Sequence, residues 1–368
     1  MIPVFKPCYG EEELEALREP LKSGWVGLGP ETKEFEEKFS EYIGVKYAIG
    51  TNSATAALHL AMKVMDVEGG EVITTPMTFI STNHAILYNN AEPVFCDIEA
   101  DTLNINANKI EPLITKRTKA IVVVHYGGYP CDMEKILSIG RKYGLKIIED
   151  AAHGCGGIWN GRKLGSIGDI GCFSFHAVKN LATGEGGMIT TNDAEINEQL
   201  RRLRWMGITK DTFTRSENSK YAWYYDVVDV GYKYHLSDIA AAIGLVQLAK
   251  LDSLNKRREE IVQVYNKAFD KIEWIETPIK KPYMQKPAYH NYVIKCDCRD
   301  DLNTYLKEKG IASSVHYIPN NHYEMYKNCR SHTPISNTQW KKILTLPLFP
   351  DLSNDSVQFI IDNIKSFK

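Results

Sequence analysis

Short apolar runs alternate with helical periodicities between residues 55 and 207. Six runs are β-branched and nearly continuously apolar, a pattern typical of strands buried on both faces of a largely parallel sheet. These runs are EVITTP (71–76), EPVFCDI (92–98), KAIVVVHY (119–126), LKIIED (145–150), IGCFSFH (170–176) and GMITT (187–191). Helical patterns occupy 55–65, 132–144 and 194–207, and the last two each end on a glycine, as helix C-termini often do. The alternation predicts a layered α/β domain.

A second set of elements follows a long helical pattern that runs from Ser237 to Phe269. It consists of a strand (290–296), a helix (301–310), a strand (313–319) and a helix (353–367). We therefore expect a large domain over residues 1–250 and a smaller C-terminal α/β domain over residues 251–368.

Composition and charge narrow the function classes. Of the 368 residues, 43% are hydrophobic and 24% are charged, and the net charge is −2. This balance favours neither a nucleic-acid surface nor a basic membrane patch. The first residues lack the features of a secretion signal and no apolar stretch approaches a membrane span, so we expect a cytoplasmic location. The eight cysteines are scattered, and the C-x-C at Cys296 and Cys298 has no second pair, so no metal site is predicted.

Three stretches have polar residues where a strand or turn ends, which is where open α/β sheets bind ligands. In GTNSATAALHLAM, which starts at Gly50, a small turn enters a helix, and the N–H groups near Ala54 and Thr55 would suit a phosphate. Taken alone, this stretch favours a plain Ser/Thr helix cap. In KIIEDAAHGCGG, a buried strand ends in Glu149 and Asp150, followed by His153. A carboxylate there is either a local cap or the partner of a protonated ligand nitrogen.

The third stretch is GCFSFHAVKNLATGEGGMITT, where Lys179 and a Gly-Glu-Gly-Gly run interrupt two strands. A lysine kept partly out of water is a nucleophile toward carbonyls, whereas a solvated turn lysine is the ordinary alternative. Taken together, a phosphate cradle, a carboxylate and a reactive lysine are what pyridoxal phosphate requires.

The order of these and further segments resembles the DegT/DnrJ/EryC1/StrS family, the sugar aminotransferases that use pyridoxal phosphate on the aspartate-aminotransferase fold (fold type I). The resemblance extends over nearly the whole chain, and it implies a large three-layer α/β/α domain with a mostly parallel sheet plus a smaller C-terminal α/β domain. The matching segments are SGWVGLGPETKEFEEKFSEYIG, GTNSATAALHLA, TTPMTFISTNHAI, IIEDAAHGCGG, FSFHAVKNLATGEGGMITT, GYKYHLSDIAAAIG, SVHYIP and LPLFPDLS.

The resemblance also implies roles for individual residues. Lys179 matches the lysine that holds pyridoxal phosphate as a Schiff base, and Asp150 matches the partner of its ring nitrogen. Phe79 and His153 match side chains that lie against the ring. The phosphate ligands match Ser174 and the backbone of Ala54 and Thr55.

One position departs from the family pattern. Many relatives have Asn in a G-Y-N-x-R segment that reaches the cofactor phosphate of the neighbouring subunit, whereas this chain has Lys233 in GYKYH. A lysine can still reach a phosphate as a flexible point charge, and an exposed surface lysine is the alternative. The family implies a homodimer with shared active sites.

The same resemblance implies an aminotransferase that moves the amino group of L-glutamate to a keto group, preferably at C4 and otherwise at C3, of a nucleotide-linked deoxysugar. Trp25 and Gly27 in WVGLGP, and His316 with Tyr317, match segments that line the sugar-nucleotide site, although a flexible turn and an ordinary strand also explain them. A keto-cyclitol aminotransferase and a non-catalytic regulator remain as alternatives. A dehydratase is disfavoured because that branch of the family has histidine in place of Lys179.

Overall fold

A seven-stranded sheet forms the centre of the large domain. The computed structural model describes residues 1–209 and 224–367. The strands of the sheet are β1 (Tyr47–Thr51), β2 (Glu71–Thr74), β3 (Glu92–Phe95), β4 (Thr118–Val124), β5 (Lys146–Asp150), β8 (Ile170–Ser174) and β9 (Gly187–Thr191). Their order is β1-β9-β8-β5-β4-β2-β3, and β9 alone runs antiparallel to its neighbours. The prediction of a largely parallel sheet is therefore confirmed.

The remaining strands are short, and helices surround the sheets. The two-residue strands β6 (Ile158–Trp159) and β7 (Arg162–Lys163) form a hairpin, and β10 (Tyr292–Lys295) pairs with β11 (Ile343–Leu346). The helices are α1 (Glu11–Ala16), α2 (Arg18–Ser23), α3 (Pro30–Ile43), α4 (Ala54–Val64), α5 (Ile80–Tyr88), α6 (Met133–Tyr143), α7 (Ala194–Leu203), α8 (Asp238–Phe269), α9 (Arg299–Glu308), α10 (Pro334–Gln339) and α11 (Asn354–Lys365).

The central sheet is buried on both faces. Successive side chains of a strand point to opposite faces, so Ile147 and Ile148 of β5 belong to two different apolar clusters. Ile148 packs with residues of α4, α5 and α7, whereas Ile147 packs with residues of α6. Helices α3 and α8 cover the rest of the second face through residues such as Phe39 and Leu248. Burial on both faces explains why these strands are continuously apolar in the sequence.

A second core lies in the C-terminal part of the chain. It joins the end of α8 to the β10–β11 pair and to α9 and α11, with Tyr265, Tyr292 and Ile360 buried inside it. Residue 250 lies within α8, which passes from one core to the other without a break. The N-terminus also reaches this part, because the Ile2 N–H donates to the Gly310 carbonyl at 2.8 Å. The domain division at residue 250 stays a prediction.

Two local predictions differ from the structure. Residues 313–319 form no regular strand, and only Ser314 forms a β-bridge, with Thr345 of β11. Beyond Ser314 the chain leaves the sheet edge, since the His316 carbonyl accepts from the Tyr126 hydroxyl. Helix α7 ends at Leu203 and not at Gly207, because the Leu203 carbonyl accepts a hydrogen bond from the Tyr232 N–H at 2.6 Å instead of one from a further helical turn. These tertiary hydrogen bonds have no local sequence signal.

Within residues 1–209 and 224–367, no helix combines the length and the apolar character needed to cross a membrane.

Candidate active site

A cavity of about 410 Å³ opens at the carboxyl ends of the parallel strands. Nine of the residues that the sequence singled out line it, and they come from both the large domain and the C-terminal part. These are Ala54, Thr55, Phe79, Asp150, His153, Ser174, Lys179, His316 and Tyr317. Long stretches of chain separate them, so only the fold brings them together.

Lys179 sits in a tight loop between β8 and β9. Its N–H donates to the His176 carbonyl at 2.8 Å, and the Ala177 N–H donates to the Gly184 carbonyl at 2.9 Å. Gly184 has φ of +86°, a conformation that glycine adopts without steric cost. The loop therefore ends the strand and presents the lysine to the cavity, where its side chain is half-buried.

The environment of Lys179 favours the free amine. Burial lowers the pKa of Lys179 to about 8, and the nearby Asp150 carboxylate offsets part of this effect. In the described part of the chain, its ammonium has no hydrogen bond and no salt bridge. An amine of this kind is available as a nucleophile or as a base near neutral pH.

Asn180 anchors the chain next to Lys179. Its amide nitrogen donates to Asn255 Oδ1 at 2.8 Å and to the Ala288 carbonyl at 2.7 Å. Its Oδ1 lies 2.9 Å from His290 Nδ1, which must be the donor because Oδ1 only accepts. These three contacts fix the backbone from which the lysine projects.

Asp150 ends β5 and is buried at the cavity wall. The Thr82 hydroxyl donates to Oδ2 at 2.7 Å, and the Ala152 N–H donates to Oδ1 at 3.1 Å. Burial raises the pKa of Asp150, although these hydrogen bonds and the charge of Lys179 oppose the rise. A protonated ligand nitrogen in the cavity would compensate a carboxylate at this position.

Glu149 precedes Asp150 but points away from the cavity. His125 Nε2 lies 2.9 Å from its Oε2, which also accepts from the Gly165 N–H at 2.9 Å. The N–H groups of Ile167 and Gly168 donate to Oε1, each at 2.6 Å. Although burial opposes ionisation, these hydrogen bonds lower the pKa of Glu149. Glu149 therefore holds the segment between β7 and β8, and Asp150 alone faces the site.

His153 forms one wall of the cavity. Its Nδ1 accepts from the Gly127 N–H at 3.3 Å, so the ring proton is on Nε2, which lies 3.2 Å from the Tyr317 hydroxyl. The ring stacks on His290 at a centroid distance of 4.4 Å. Burial and the charge of Lys179 lower the pKa of His153 well below its ordinary value. The result is a neutral, flat surface in a fixed orientation.

Phe79 also lines the cavity and lies directly before α5. Its ring is 57% exposed and lies 6.2 Å from the ring of Tyr317. An exposed phenylalanine beside a cavity is a surface for a planar ligand.

The start of α4 and the end of β8 form the polar end of the cavity. Ser53 caps α4 by accepting from the Ala56 N–H at 3.1 Å, so the helix-cap interpretation is also correct. The first N–H groups of a helix have no partner within it, which leaves those of Ala54 and Thr55 for an anion. The Ser174 hydroxyl accepts from the His176 N–H at 3.4 Å at the same end.

Three sequence-predicted residues do not line the cavity of this chain. Lys233 is exposed, and its ammonium lies 3.4 Å from the centroid of the Trp205 ring. Gly27 packs on the start of α8, where its carbonyl accepts from the Asp238 N–H at 2.6 Å. Trp25 is half-buried two residues earlier. The roles predicted for these three stay predictions.

The sequence analysis missed three residues that support the site: Thr82, Asn180 and His290. Thr82 lies three residues after Phe79, and a hydroxyl in that first helical turn is its only sequence signal. Asn180 adjoins Lys179 but has no motif of its own, and His290 reaches the site from more than a hundred residues away.

These features fit pyridoxal phosphate. A phosphate could accept hydrogen bonds from the unpaired helix N–H groups, and a protonated ring nitrogen could pair with Asp150. An aldehyde could react with the Lys179 amine. His153 and Phe79 provide surfaces for the ring. These residues therefore match the phosphate, the ring nitrogen, the aldehyde and the ring surface of the cofactor.

Comparisons with known proteins agree with this chemistry. The model of the DegT/DnrJ/EryC1/StrS aminotransferase family matches residues 7–365. The spore coat polysaccharide biosynthesis protein SpsC of Bacillus subtilis is 42% identical over 376 residues, which cover 99% of this chain and 96% of SpsC. The crystal structure of the aminotransferase TlmJ from Streptoalloteichus hindustanus is similar, with a TM-score of 0.94 and 34% identity, covering 100% of this chain and 98% of TlmJ.

A third relative carries the cofactor. The putative sugar aminotransferase Spr1654 from Streptococcus pneumoniae is known in a PMP-form, with a TM-score of 0.94 and 33% identity over 100% of this chain and 99% of Spr1654. Its PLP-form has a TM-score of 0.91. The predicted family, fold class and cofactor are therefore confirmed. The chain belongs to the DegT/DnrJ/EryC1/StrS aminotransferase family and is a pyridoxal-phosphate-dependent sugar aminotransferase.

Proposed function

We propose that the protein transfers the amino group of L-glutamate to a keto group, preferably at C4, of a nucleotide-linked deoxysugar. The observation that carries the proposal is the placement of Lys179, with its lowered pKa, in one cavity with Asp150 and the start of α4. When bound, pyridoxal phosphate supplies an electron sink that allows a Cα–H bond of the amino donor to break.

Lys179 would transfer protons in the reaction, and Asp150 would stabilise the cofactor ring. Lys179 Nζ takes the proton from Cα of the donor as a general base and returns a proton to the substrate carbon in the second half-reaction. Its pKa of about 8 keeps part of the amine unprotonated near neutral pH. Asp150 would accept a hydrogen bond from the protonated ring nitrogen and stabilise that form.

The other cavity residues bind and orient the cofactor and the substrate. The N–H groups of Ala54 and Thr55, with the Ser174 hydroxyl, would hold the phosphate, and His153 and Phe79 would provide surfaces for the ring. Tyr317, which is half-buried, lines the cavity beside His153 and would help to hold it in place. Phe79 and the exposed His176 and Glu185 form the rim over which the sugar enters.

The proposed acceptor class is supported by the relatives and by the cavity residues that come from the C-terminal part of the chain. SpsC is a polysaccharide biosynthesis protein and Spr1654 is a putative sugar aminotransferase. His316 and Tyr317 line the cavity, as the family resemblance implies for the sugar-nucleotide site. Because a keto-cyclitol aminotransferase would use the same cofactor residues, the acceptor has to be identified by a screen.

We also propose a homodimer in which each subunit completes the site of its partner. Val227, Val228 and Val230 are exposed, and Val230 is 88% exposed, which is unusual for an apolar side chain that stays in water. Lys233 follows them and lies outside the cavity of its own chain. A partner subunit would cover these valines and receive the lysine at its phosphate site.

Visible absorbance tests the donor half-reaction directly. The purified protein, loaded with pyridoxal phosphate, should have a yellow band that bleaches on addition of L-glutamate and returns on addition of the correct keto sugar. Lys179→Ala is the control, because it should bind the cofactor without the glutamate-dependent bleaching. The acceptor screen should include dTDP-, UDP- and GDP-linked 4-keto and 3-keto sugars and a keto-cyclitol.

A band that bleaches with L-alanine or L-glutamine but not with L-glutamate would contradict the proposed donor. Recovery with the keto-cyclitol and with none of the nucleotide-linked sugars would contradict the proposed acceptor. A loaded protein that no amino acid bleaches would favour a non-catalytic role.

A further inference from the structure

Two buried hydroxyl groups, those of Thr82 and Thr78, form a chain that starts at Asp150 and returns to the wall of the cavity, which Thr78 also lines. The Thr82 hydroxyl donates to Asp150 Oδ2 at 2.7 Å, and Thr78 Oγ1 lies 2.9 Å from Thr82 Oγ1. Thr82 is 1% exposed and Thr78 is 2% exposed, so solvent has little access to either hydroxyl. Both belong to the turn that carries Phe79 into α5.

The chemistry of these groups determines the direction of the hydrogen bonds. A carboxylate has no proton to donate, so the Thr82 hydroxyl gives its only proton to Asp150. The contact between the two threonines then requires Thr78 to donate to Thr82. Thr82 is therefore left without a free proton, and both hydroxyls are oriented toward the negative charge of Asp150.

The C-terminal part of the chain holds the far end of this turn. Asn320 Nδ2 donates to the Thr78 carbonyl at 3.0 Å, and its N–H donates to the Pro76 carbonyl at 2.8 Å. Asn83 Nδ2 donates to Asn320 Oδ1 at 2.7 Å. Asn320 is buried and follows the cavity residue Tyr317 by three positions. The turn with the two threonines is thus clamped between α5 and the loop that carries Tyr317.

We infer that Thr82 is a positioning residue, which holds Asp150 as a carboxylate in the orientation that meets the cofactor ring nitrogen. The inference rests on the role proposed above for Asp150. With Oδ2 held by Thr82 and Oδ1 by the Ala152 N–H, the carboxylate cannot rotate without losing a hydrogen bond. Its remaining lone pairs are free for the cavity that it lines.

The experiment compares two cofactor analogues, pyridoxal phosphate and 1-deazapyridoxal phosphate, which lacks the ring nitrogen. Affinities of the apo-protein for both are measured for Thr82→Val, Thr82→Ser and Thr78→Val. Valine has nearly the shape of threonine without its hydroxyl, and serine restores the hydroxyl without the methyl group. Thr190→Val is the matched control, because the Thr190 hydroxyl is equally buried but donates to the Gly165 carbonyl.

We expect Thr82→Val to weaken binding of pyridoxal phosphate by roughly tenfold and to leave the affinity for the deaza analogue unchanged, since hydrogen bonds to charged groups have about this strength. Thr82→Ser should restore wild-type affinity, and Thr78→Val should have a smaller effect in the same direction. Thr190→Val should change neither affinity.

Equal weakening for both analogues by Thr82→Val would overturn the inference, because Thr82 would then only support packing. Failure of Thr82→Ser to restore affinity would also overturn it. Asp150→Asn tests the proposed role of Asp150 separately from the inferred role of Thr82. If it weakens pyridoxal phosphate selectively and Thr82→Val does not, only the inference about Thr82 is wrong. If it does not discriminate between the analogues, the proposed role of Asp150 is wrong as well.

Discussion

Glu149 and Asp150 are chemically similar neighbours whose surroundings give them different tasks. Adjacent side chains of a strand point to opposite faces, so only one of the two carboxylates can face the cavity. Asp150 keeps free lone pairs toward the cavity, whereas hydrogen bonds from His125 and three backbone N–H groups occupy Glu149. Glu149 therefore stabilises the fold and Asp150 is left for chemistry.

The lowered pKa of Glu149 predicts how stability depends on pH. Because its pKa is lower in the folded state than in the unfolded state, its contribution is present above the unfolded value of about 4.5 and is lost as pH falls below it. Glu149→Gln should reduce the free energy of unfolding of the apo-protein at pH 7 by about 3 kcal/mol, since an amide group would face several N–H donors. Urea denaturation at pH 7 and at lower pH measures this difference.

The difference between wild type and Glu149→Gln should shrink as pH falls below 4.5. Glu111→Gln is the control, because Glu111 is an exposed carboxylate bound by Lys142 and Tyr143. It should not change stability measurably. A stability difference for Glu149→Gln that is independent of pH would show that the loss is one of packing and not of charge.

At the scale of elements, the phosphate cradle depends on a close approach between β9 and the start of α4. Gly187 is the first residue of β9, and a Cβ atom there would lie 2.5 Å from the Ser53 carbonyl carbon and 2.8 Å from the Ala54 nitrogen. Both are backbone atoms, so they cannot move aside as a flexible side chain would. Because it has no side chain, Gly187 allows β9 to pack directly against the backbone at the start of α4.

Gly187→Ala should displace the N-terminus of α4 and weaken binding of pyridoxal phosphate by at least tenfold. Equilibrium titration of the apo-protein with the cofactor measures this change. Gly70→Ala is the matched control, because a Cβ atom there would be 2.9 Å from the Arg117 carbonyl oxygen at the other end of the sheet. It should lower stability without changing cofactor affinity. Unchanged affinity for Gly187→Ala would mean that the cradle tolerates the shift.

At the scale of the whole molecule, the proposed dimer gives Lys233 a role that it does not have in the cavity of its own chain. The cavity contains Lys179, while Lys233 lies outside it beside Trp205. If Lys233 serves the partner subunit, then a dimer of two differently mutated chains has one site with both lysines intact and one site with neither. Mixing two inactive variants therefore tests whether Lys233 acts across the dimer interface.

Mixing Lys179→Ala chains with Lys233→Ala chains should restore activity. Random exchange of equal amounts makes half of the dimers mixed, each with one intact site of two, so about a quarter of wild-type activity is expected. Activity assays of the refolded mixture, with light scattering to establish the dimer, measure this. Activity that only equals the average of the two separate variants would show that Lys233 does not act across a dimer interface.

The sequence by itself predicted the elements and the chemistry of the main site residues. Continuous apolar strands and amphipathic helices are local patterns. The segments around Lys179 and Asp150 have ordinary explanations when each is taken alone, and they indicate a cofactor only in combination with the start of α4. The α/β class followed from these patterns, the cofactor from three motifs in combination, and the family from the resemblance of several segments; the comparisons confirm all three.

The resemblance already assigned the ring-nitrogen role to Asp150, but only the tertiary structure showed which groups bind Glu149 and brought Thr82, Asn180 and His290 to the site. It also turned residues 313–319 away from a strand, so that His316 and Tyr317 face the cavity. Hydrogen bonds between residues far apart in the chain decided these features, and such partners leave no periodic signal in the sequence around either residue. Local patterns therefore predicted the elements, while long-range packing determined how each side chain is held.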